Sequence, residues 1–189
     1  MTKSVAERLL DLSERLGALQ YGEFTLSSGA VSRYYFDGRL VTLDAEGAYL
    51  VGRAFEPIVR ASGATAIAGP ALAAIPMLAA ISVASYTEGA PVPGLIVRSE
   101  RKAYGTGKLI EGTVREGMSV AVVDDTCNQG GSLLHAIDAI EGAGCRVVKV
   151  MCILDRNEGG SRAIRERGYD FVSLFEVGDD GRIRVAHVP

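Results

Sequence analysis

The sequence predicts an α/β fold, a central and mostly parallel sheet flanked by helices, and three observations carry that prediction. Short apolar runs rich in β-branched residues recur along the chain, as at Val120 to Val123 and Val147 to Leu154. Such runs form strands buried on both faces of a parallel sheet. Helical patterns lie between them from about residue 65 onward, the order expected of repeated strand–helix units. Before residue 40 that alternation is absent, so the N-terminal stretch reads as an attachment to the same domain. With 189 residues, 48% of them hydrophobic, the chain can bury a substantial core, and a single domain over 1–189 is expected.

The elements follow in order. Ser4 and Glu7 have capping-box spacing, and Val5, Leu9, Leu12, Leu16 and Leu19 recur near helical period, which predicts an amphipathic helix ending before Tyr21-Gly22. GEFTLSSGAVSRYYF is rich in strand formers but broken at Ser27 to Gly29, an extended segment with a hairpin-like turn. A second helix is expected from about Asp44 to Ala61, then a strand at Thr65 to Ala68, the turn Gly69-Pro70 and a helix over Pro76 to Ser85. Gly94 to Arg98, Val120 to Val123, Val147 to Leu154 and Phe171 to Phe175 supply further strands, with helices over Ser132 to Glu141 and Gly160 to Arg167.

Chemistry concentrates in SVAVVDDTCNQGGSLL, Ser119 to Leu134. Asp124 and Asp125 should emerge at a strand's carboxyl end. Gly130 and Gly131 permit a tight turn, and Ser132 can cap the helix marked by Leu133, Leu134, Ile137 and Ile140. Amide groups of such a turn suit a phosphate, and two nearby carboxylates suit sugar hydroxyls or a magnesium ion. An Asp pair alone would read as an ordinary strand-to-helix loop; the complete run favours a phosphate-sugar site. From Arg98 to Thr113 the chain carries Arg101, Lys102 and Lys108, three glycines and no sustained apolar period. That reads as a long mobile loop, either a solvated hairpin or a lid over the same sheet edge. Asp155-Arg156 ends another apolar run, where Arg156 can receive a carboxylate or pair with Asp155 or Glu158.

Composition excludes several classes. A net charge of −3 argues against a general nucleic-acid or membrane-surface binder. No apolar segment is long enough to span a bilayer, and MTKSVAERLL is too charged for a secretory signal, so a cytoplasmic protein is expected. Cys127, Cys145 and Cys152 lack metal-ligand spacing and read as reduced thiols, the first with an exposed sulfur in the loop and the others in the core. His135 and His187 read as structural or solvated.

Taken together, these segments resemble the type I phosphoribosyltransferases, and within them the orotate branch. The matching pieces are GEFTLSSG with RYYF, Gly69-Pro70 with Ile75-Pro76, RSERKAYGTGKLIEG, VVDDTCNQGGS and ILDR at Ile153 to Arg156. The resemblance implies a small N-terminal hood over about 1–40, a lid over about 98–113, and transfer of a phosphoribosyl group from phosphoribosyl pyrophosphate (PRPP) to orotate with Mg2+. By the same resemblance Asp124 and Asp125 hold the ribose hydroxyls, directly or through metal-bound water. Thr126, Cys127, Asn128, Gln129, Gly130, Gly131 and Ser132 line the 5′-phosphate site. Arg98, Lys102 and Tyr104 meet the pyrophosphate, with Lys102 as the leading catalytic residue beside Asp124 and Asp125. Tyr35, Phe36, Asn128 and Arg156 form the orotate side. A homodimer whose lid serves the neighbouring subunit is also implied, with no nucleic-acid or membrane partner.

Four departures from the family pattern stand out. Asn128-Gln129 replaces small hydroxyl residues, Leu72-Ala73-Ala74 replaces Tyr-Lys-Gly, Ser99 replaces a second basic residue and Ser27 a lysine. Each lost charge-assisted hydrogen bond typically costs roughly 1.5–3 kcal/mol. Three functions therefore stand at this point: orotate phosphoribosyl transfer, transfer to another acceptor, and non-catalytic binding of PRPP or a nucleotide as a regulator.

Overall fold

The computed structural model describes residues 3–25, 31–100 and 108–186. Helix α1 (Val5–Arg15) starts on a complete capping box, the Ser4 hydroxyl accepting from the Glu7 N–H and the Glu7 carboxylate from the Ser4 N–H. It stops a turn before the expected end: Leu16 is its C-cap, Gly17 takes φ +67, and Leu19 already opens a strand. That strand, β1 (Leu19–Thr25), pairs antiparallel with β2 (Val31–Phe36) as a separate two-stranded ribbon, the hood. Its turn, with Ser27, lies outside the described residues.

A short helix that sequence patterning does not mark, α2 (Gly38–Thr42), follows on the Asp37 cap, before α3 (Ala45–Ala61) on the Asp44 cap. The strand–helix alternation then holds. It runs β3 (Ala66–Pro70), α4 (Ala74–Thr87), β4 (Gly94–Val97), β5 (Ile110–Glu111), β6 (Ser119–Cys127), α5 (Gly131–Gly142), β7 (Arg146–Asp155), α6 (Gly160–Glu166), β8 (Phe171–Val177) and β9 (Ile183–Val185).

The seven strands order as β5-β4-β3-β6-β7-β8-β9. All neighbours are parallel except the two edges, β5 on β4 and β9 on β8. Both edge strands are additions to the expected pattern. β5 falls inside the stretch read as a loop over 98–113: Ile110 is buried and pairs with Val97, which draws the end of that stretch into the sheet.

Side chains alternate across the sheet and divide the core in two. Ala121 and Val123 pack with α1, α3 and α4, while Val120 and Val122 pack with Leu133, Ile137 and Ile140 of α5. Crossover helix α4 thus lies on one face and α5 on the other. Between β3 and β6 the winding reverses direction, and that reversal opens a crevice at the strands' carboxyl ends. Ligands of open α/β sheets bind at such a point.

Candidate active site

Strand β6 runs on past Val123 to Cys127, so the two aspartates occupy adjacent positions of one extended segment and point to opposite sides. Asp124 is 4% exposed and faces α5, where its Oδ2 accepts from the Ser132 hydroxyl at 2.8 Å and its Oδ1 from the Asp125 N–H at 2.9 Å. Burial, with help from the Asp125 charge, pushes its carboxyl up to about 7. Asp125 faces the start of α2. A Cβ on Gly38 would lie 2.7 Å from the Asp125 carboxylate, so glycine is what lets that helix close over it. Burial raises the Asp125 pKa as well, opposed by the Thr126 hydroxyl, 3.3 Å from Oδ1. Nearby, Arg39 makes two 2.9 Å hydrogen bonds to Asp37.

Between β6 and α5 the chain turns through exposed Asn128 and Gln129 to Gly130, the helix N-cap, at φ +82. This corrects the expected role of Ser132: no side chain caps α5, and the Ser132 hydroxyl is spent on Asp124 because the left-handed glycine already sets the helix start. Backbone N–H groups of Asn128, Gln129 and Gly130 donate to no protein acceptor among the described residues. Cys127 is a second correction. Its thiol is fully buried and pushed up to about 12 by desolvation, so it cannot contact a ligand.

A cleft of about 800 Å³ opens in front of this turn. Thr126, Asn128, Gln129, Gly130, Gly131 and Ser132 form one wall, Phe24, Thr25 and Tyr35 of the hood a second, and Arg156 with Glu158 a third. Arg156 forms no salt bridge among the described residues, contrary to the pairing that its neighbours allowed. Asp155 is buried and accepts instead from the Asn157 N–H at 2.9 Å. The guanidinium reaches the Phe36 carbonyl at 3.4 Å and sits 5.5 Å from the Tyr34 ring centroid, with its Nε buried and unpaired. Phe36 is a third correction: strand alternation sends its side chain into the core and turns Tyr35 to the cleft. Phe24, Thr25 and Glu158 also line the cleft, although no sequence feature singles them out. The signal was present in the GEFT and Asp-Arg segments, but nothing in sequence says which positions of a hairpin face a ligand.

Arg98 does not line this cleft. Its N–H donates to the Leu109 carbonyl at 2.9 Å, its carbonyl accepts from His135 Nε2 at 2.9 Å, and its guanidinium lies 3.5 Å from Glu111. Ala73 caps α4 without a side-chain bond, and Gly69 fits because a Cβ there would sit 2.5 Å from both the Ala74 Cβ and the Val123 carbonyl. Lys102, Tyr104 and His187 lie outside the described residues.

The phosphoribosyl transferase domain matches residues 45–177, β3 through β8 with the whole Asp124 to Ser132 turn. An orotate phosphoribosyltransferase of Thermosynechococcus vestitus is 43% identical over 180 residues, covering 92% of this chain and 95% of that protein. The chain belongs to the orotate phosphoribosyltransferase family. A solved orotate phosphoribosyltransferase of Mycobacterium tuberculosis superposes with a TM-score of 0.82 at 34% identity, covering 95% of this chain and 100% of that one. Another structure of the Mycobacterium enzyme, in complex with PRPP, matches with a TM-score of 0.76 at 32% identity over 92% of this chain and 96% of that one. The resemblance drawn from motifs thus holds across the sheet, hood and helices of the orotate phosphoribosyltransferase fold. Among the described residues no helix is long and apolar enough to cross a membrane.

Proposed function

We propose that the chain transfers the phosphoribosyl group of PRPP to orotate, giving orotidine 5′-monophosphate and pyrophosphate in pyrimidine biosynthesis. One observation carries the reading: a turn whose amide groups meet no acceptor among the described residues and the Arg156 guanidinium line a single cleft, immediately beyond the Asp124-Asp125 pair on β6. The turn from Asn128 to Ser132 receives the 5′-phosphate, with the positive end of α5 behind it. Asp124 and Asp125 receive the ribose hydroxyls. Arg156, its Nε unpaired, receives the orotate carboxylate, and Tyr35 covers the base.

In the reaction the C1′–oxygen bond to pyrophosphate breaks while deprotonated N1 of orotate bonds to C1′. Positive charge grows on the sugar and negative charge on the departing diphosphate. Lys102 and Tyr104 serve that leaving group, joined by Arg98 once its guanidinium leaves Glu111, and cations there lower the barrier more than they tighten ground-state binding. Exclusion of water by the 98–113 segment protects the activated sugar from hydrolysis. No group of three metal-ligating side chains exists among the described residues, so the Asp pair fits magnesium only with substrate oxygens completing the shell. When bound, the ion neutralises diphosphate charge.

The protein acts as one domain over 1–189, in the cytoplasm, as a homodimer. Supporting the dimer, exposed Leu43, Tyr49 and Val83 line one groove over α3 and α4, and exposed Tyr86 lies further along α4, a helix with apolar residues on every side. Sedimentation should give twice the chain mass.

The test is turnover: with PRPP, Mg2+ and orotate, orotate absorbance should fall as pyrophosphate appears one for one. Binding of PRPP with no consumption at any pH or concentration would leave a regulator. Asn128 and Gln129 on the cleft wall favour one second reading, a different acceptor. In a panel of bases scored by pyrophosphate release, orotate as the sole acceptor removes it.

A further inference from the structure

The amide-bearing turn after β6 is not held by its own helix alone. Segment 156–160, which brings Arg156 and Glu158 to the cleft, also binds the back of the turn. The Arg156 N–H donates to the Cys127 carbonyl at 2.9 Å, and the Gly160 N–H donates to the Asn128 carbonyl at 2.9 Å. Gly160 is buried, and its Cα rests directly on the turn's backbone. A Cβ there would lie 2.4 Å from the Gly130 nitrogen, 2.6 Å from the Asn128 carbonyl oxygen and 2.7 Å from the Gln129 carbonyl carbon. These are backbone atoms, so no rotamer change relieves the contact.

The consequence concerns amide direction. A trans peptide holds its C=O and N–H antiparallel. With the carbonyls of Cys127 and Asn128 engaged by segment 156–160, the N–H groups of Asn128 and Gln129 turn to the opposite side of the loop. They find no protein acceptor there among the described residues. The bracing segment is itself anchored: Asn157, at φ +55, donates its side-chain amide to the Val177 carbonyl of β8 at 2.7 Å and its N–H to Asp155.

We propose that Gly160 is a positioning residue for the phosphate-binding turn. By carrying no side chain it lets α6 seat against Asn128 to Gly130, aiming the turn's amides at the 5′-phosphate and fixing their distance from Arg156 on the same segment. The inference rests on the proposed phosphoribosyl transfer for its ligand, and on geometry alone for the contact. A glycine serving only to pack α6 would change stability when replaced and leave phosphate affinity alone.

Gly160→Ala separates the two roles. Expected are a KM for PRPP raised about tenfold, a KM for orotate changed less than twofold, and a matching loss of ribose 5-phosphate affinity by calorimetry. Gly142→Ala, at a position with open space around it, should leave all three unchanged. If Gly160→Ala does not fold, Asn157→Gly keeps the positive φ and removes only the anchor to Val177; PRPP KM should then rise two- to fivefold, again without a change for orotate. Unchanged PRPP KM in whichever variant folds, or an equal rise for both substrates, overturns the proposal. Should wild-type protein prove inactive with orotate, the transfer reading fails by itself, and ribose 5-phosphate affinity in wild type and variant still decides the role of Gly160.

Discussion

Two turns at the carboxyl edge of the sheet are built alike and do opposite things. β6 carries two acids shortly before its end at Cys127 and enters α5 through left-handed Gly130; β7 ends in an acid and enters α6 through left-handed Gly159. Neither helix has a side-chain cap. In the first turn Asp125 stays half-buried beside the cleft, and the amide groups of Asn128 and Gln129 meet no acceptor among the described residues. In the second, Asp155 is consumed internally by the Asn157 N–H, and a guanidinium faces the cleft instead. The difference lies in exposure and in what the next residue presents: Asp125 keeps a half-buried carboxylate next to cleft-lining Thr126, whereas Asp155 is buried and Arg156 meets the cleft. One frame thus gives a sugar-phosphate end and a carboxylate end to the same cleft.

The strongest way to break this comparison is to exchange the acids' fates. Asp125→Asn should lower kcat/KM by about 10²-fold or more, the size typical of losing a charge-stabilising group, with a small change in melting temperature. Asp155→Asn should do the reverse, reducing turnover less than tenfold while removing about 1 kcal/mol and lowering Tm by roughly 2–4 °C. Next in size, Arg156→Gln should raise the KM for orotate about 10- to 100-fold, the equivalent of one charge-assisted pair, and leave the KM for PRPP nearly unchanged. Steady-state kinetics with each substrate varied in turn checks both.

A smaller effect tests the electrostatics. The folded-state pKa of Asp124 is raised from 3.8 to about 7, so the ligand-free fold holds a proton that the unfolded chain releases. Between about pH 4 and 7 the native state binds more protons, and stability therefore falls as pH rises through that window and stays lower above it. Asp124→Asn cannot ionise. It should match wild type near pH 4 and exceed it by a few degrees in Tm at pH 8, while losing activity; thermal scans without PRPP or metal across pH 4 to 8 measure the gap. Smallest of all, Gly159→Ala, at φ +100 with no atoms within 4 Å of the new Cβ, should cost about 1–2 kcal/mol of stability and leave PRPP affinity intact. That outcome would set it apart from its neighbour Gly160.

Much of this was legible from the chain. The buried parallel strands announce themselves by uninterrupted β-branched runs, and the β6 turn by acids and glycines in one short stretch. The edge strands β5 and β9 are too short, at two and three residues, to show a period, and α2 is a single capped turn of five. Site details failed for a different reason. Ser132 pairs with an acid eight residues back, and Phe36 and Tyr35 exchange roles according to which face of the hood packs inward. The Arg156 segment touches the Cys127 and Asn128 carbonyls only because β7 lies beside β6. Such facts depend on the placement of elements, which local spacing does not encode.

The division of the cleft is tested most directly by titrating PRPP calorimetrically into Asp125→Asn and Arg156→Gln side by side in the presence of Mg2+. Asp125→Asn should lose at least tenfold in PRPP affinity, and Arg156→Gln should stay within twofold of wild type. Equal losses in the two variants, or a greater loss in Arg156→Gln, would contradict that division.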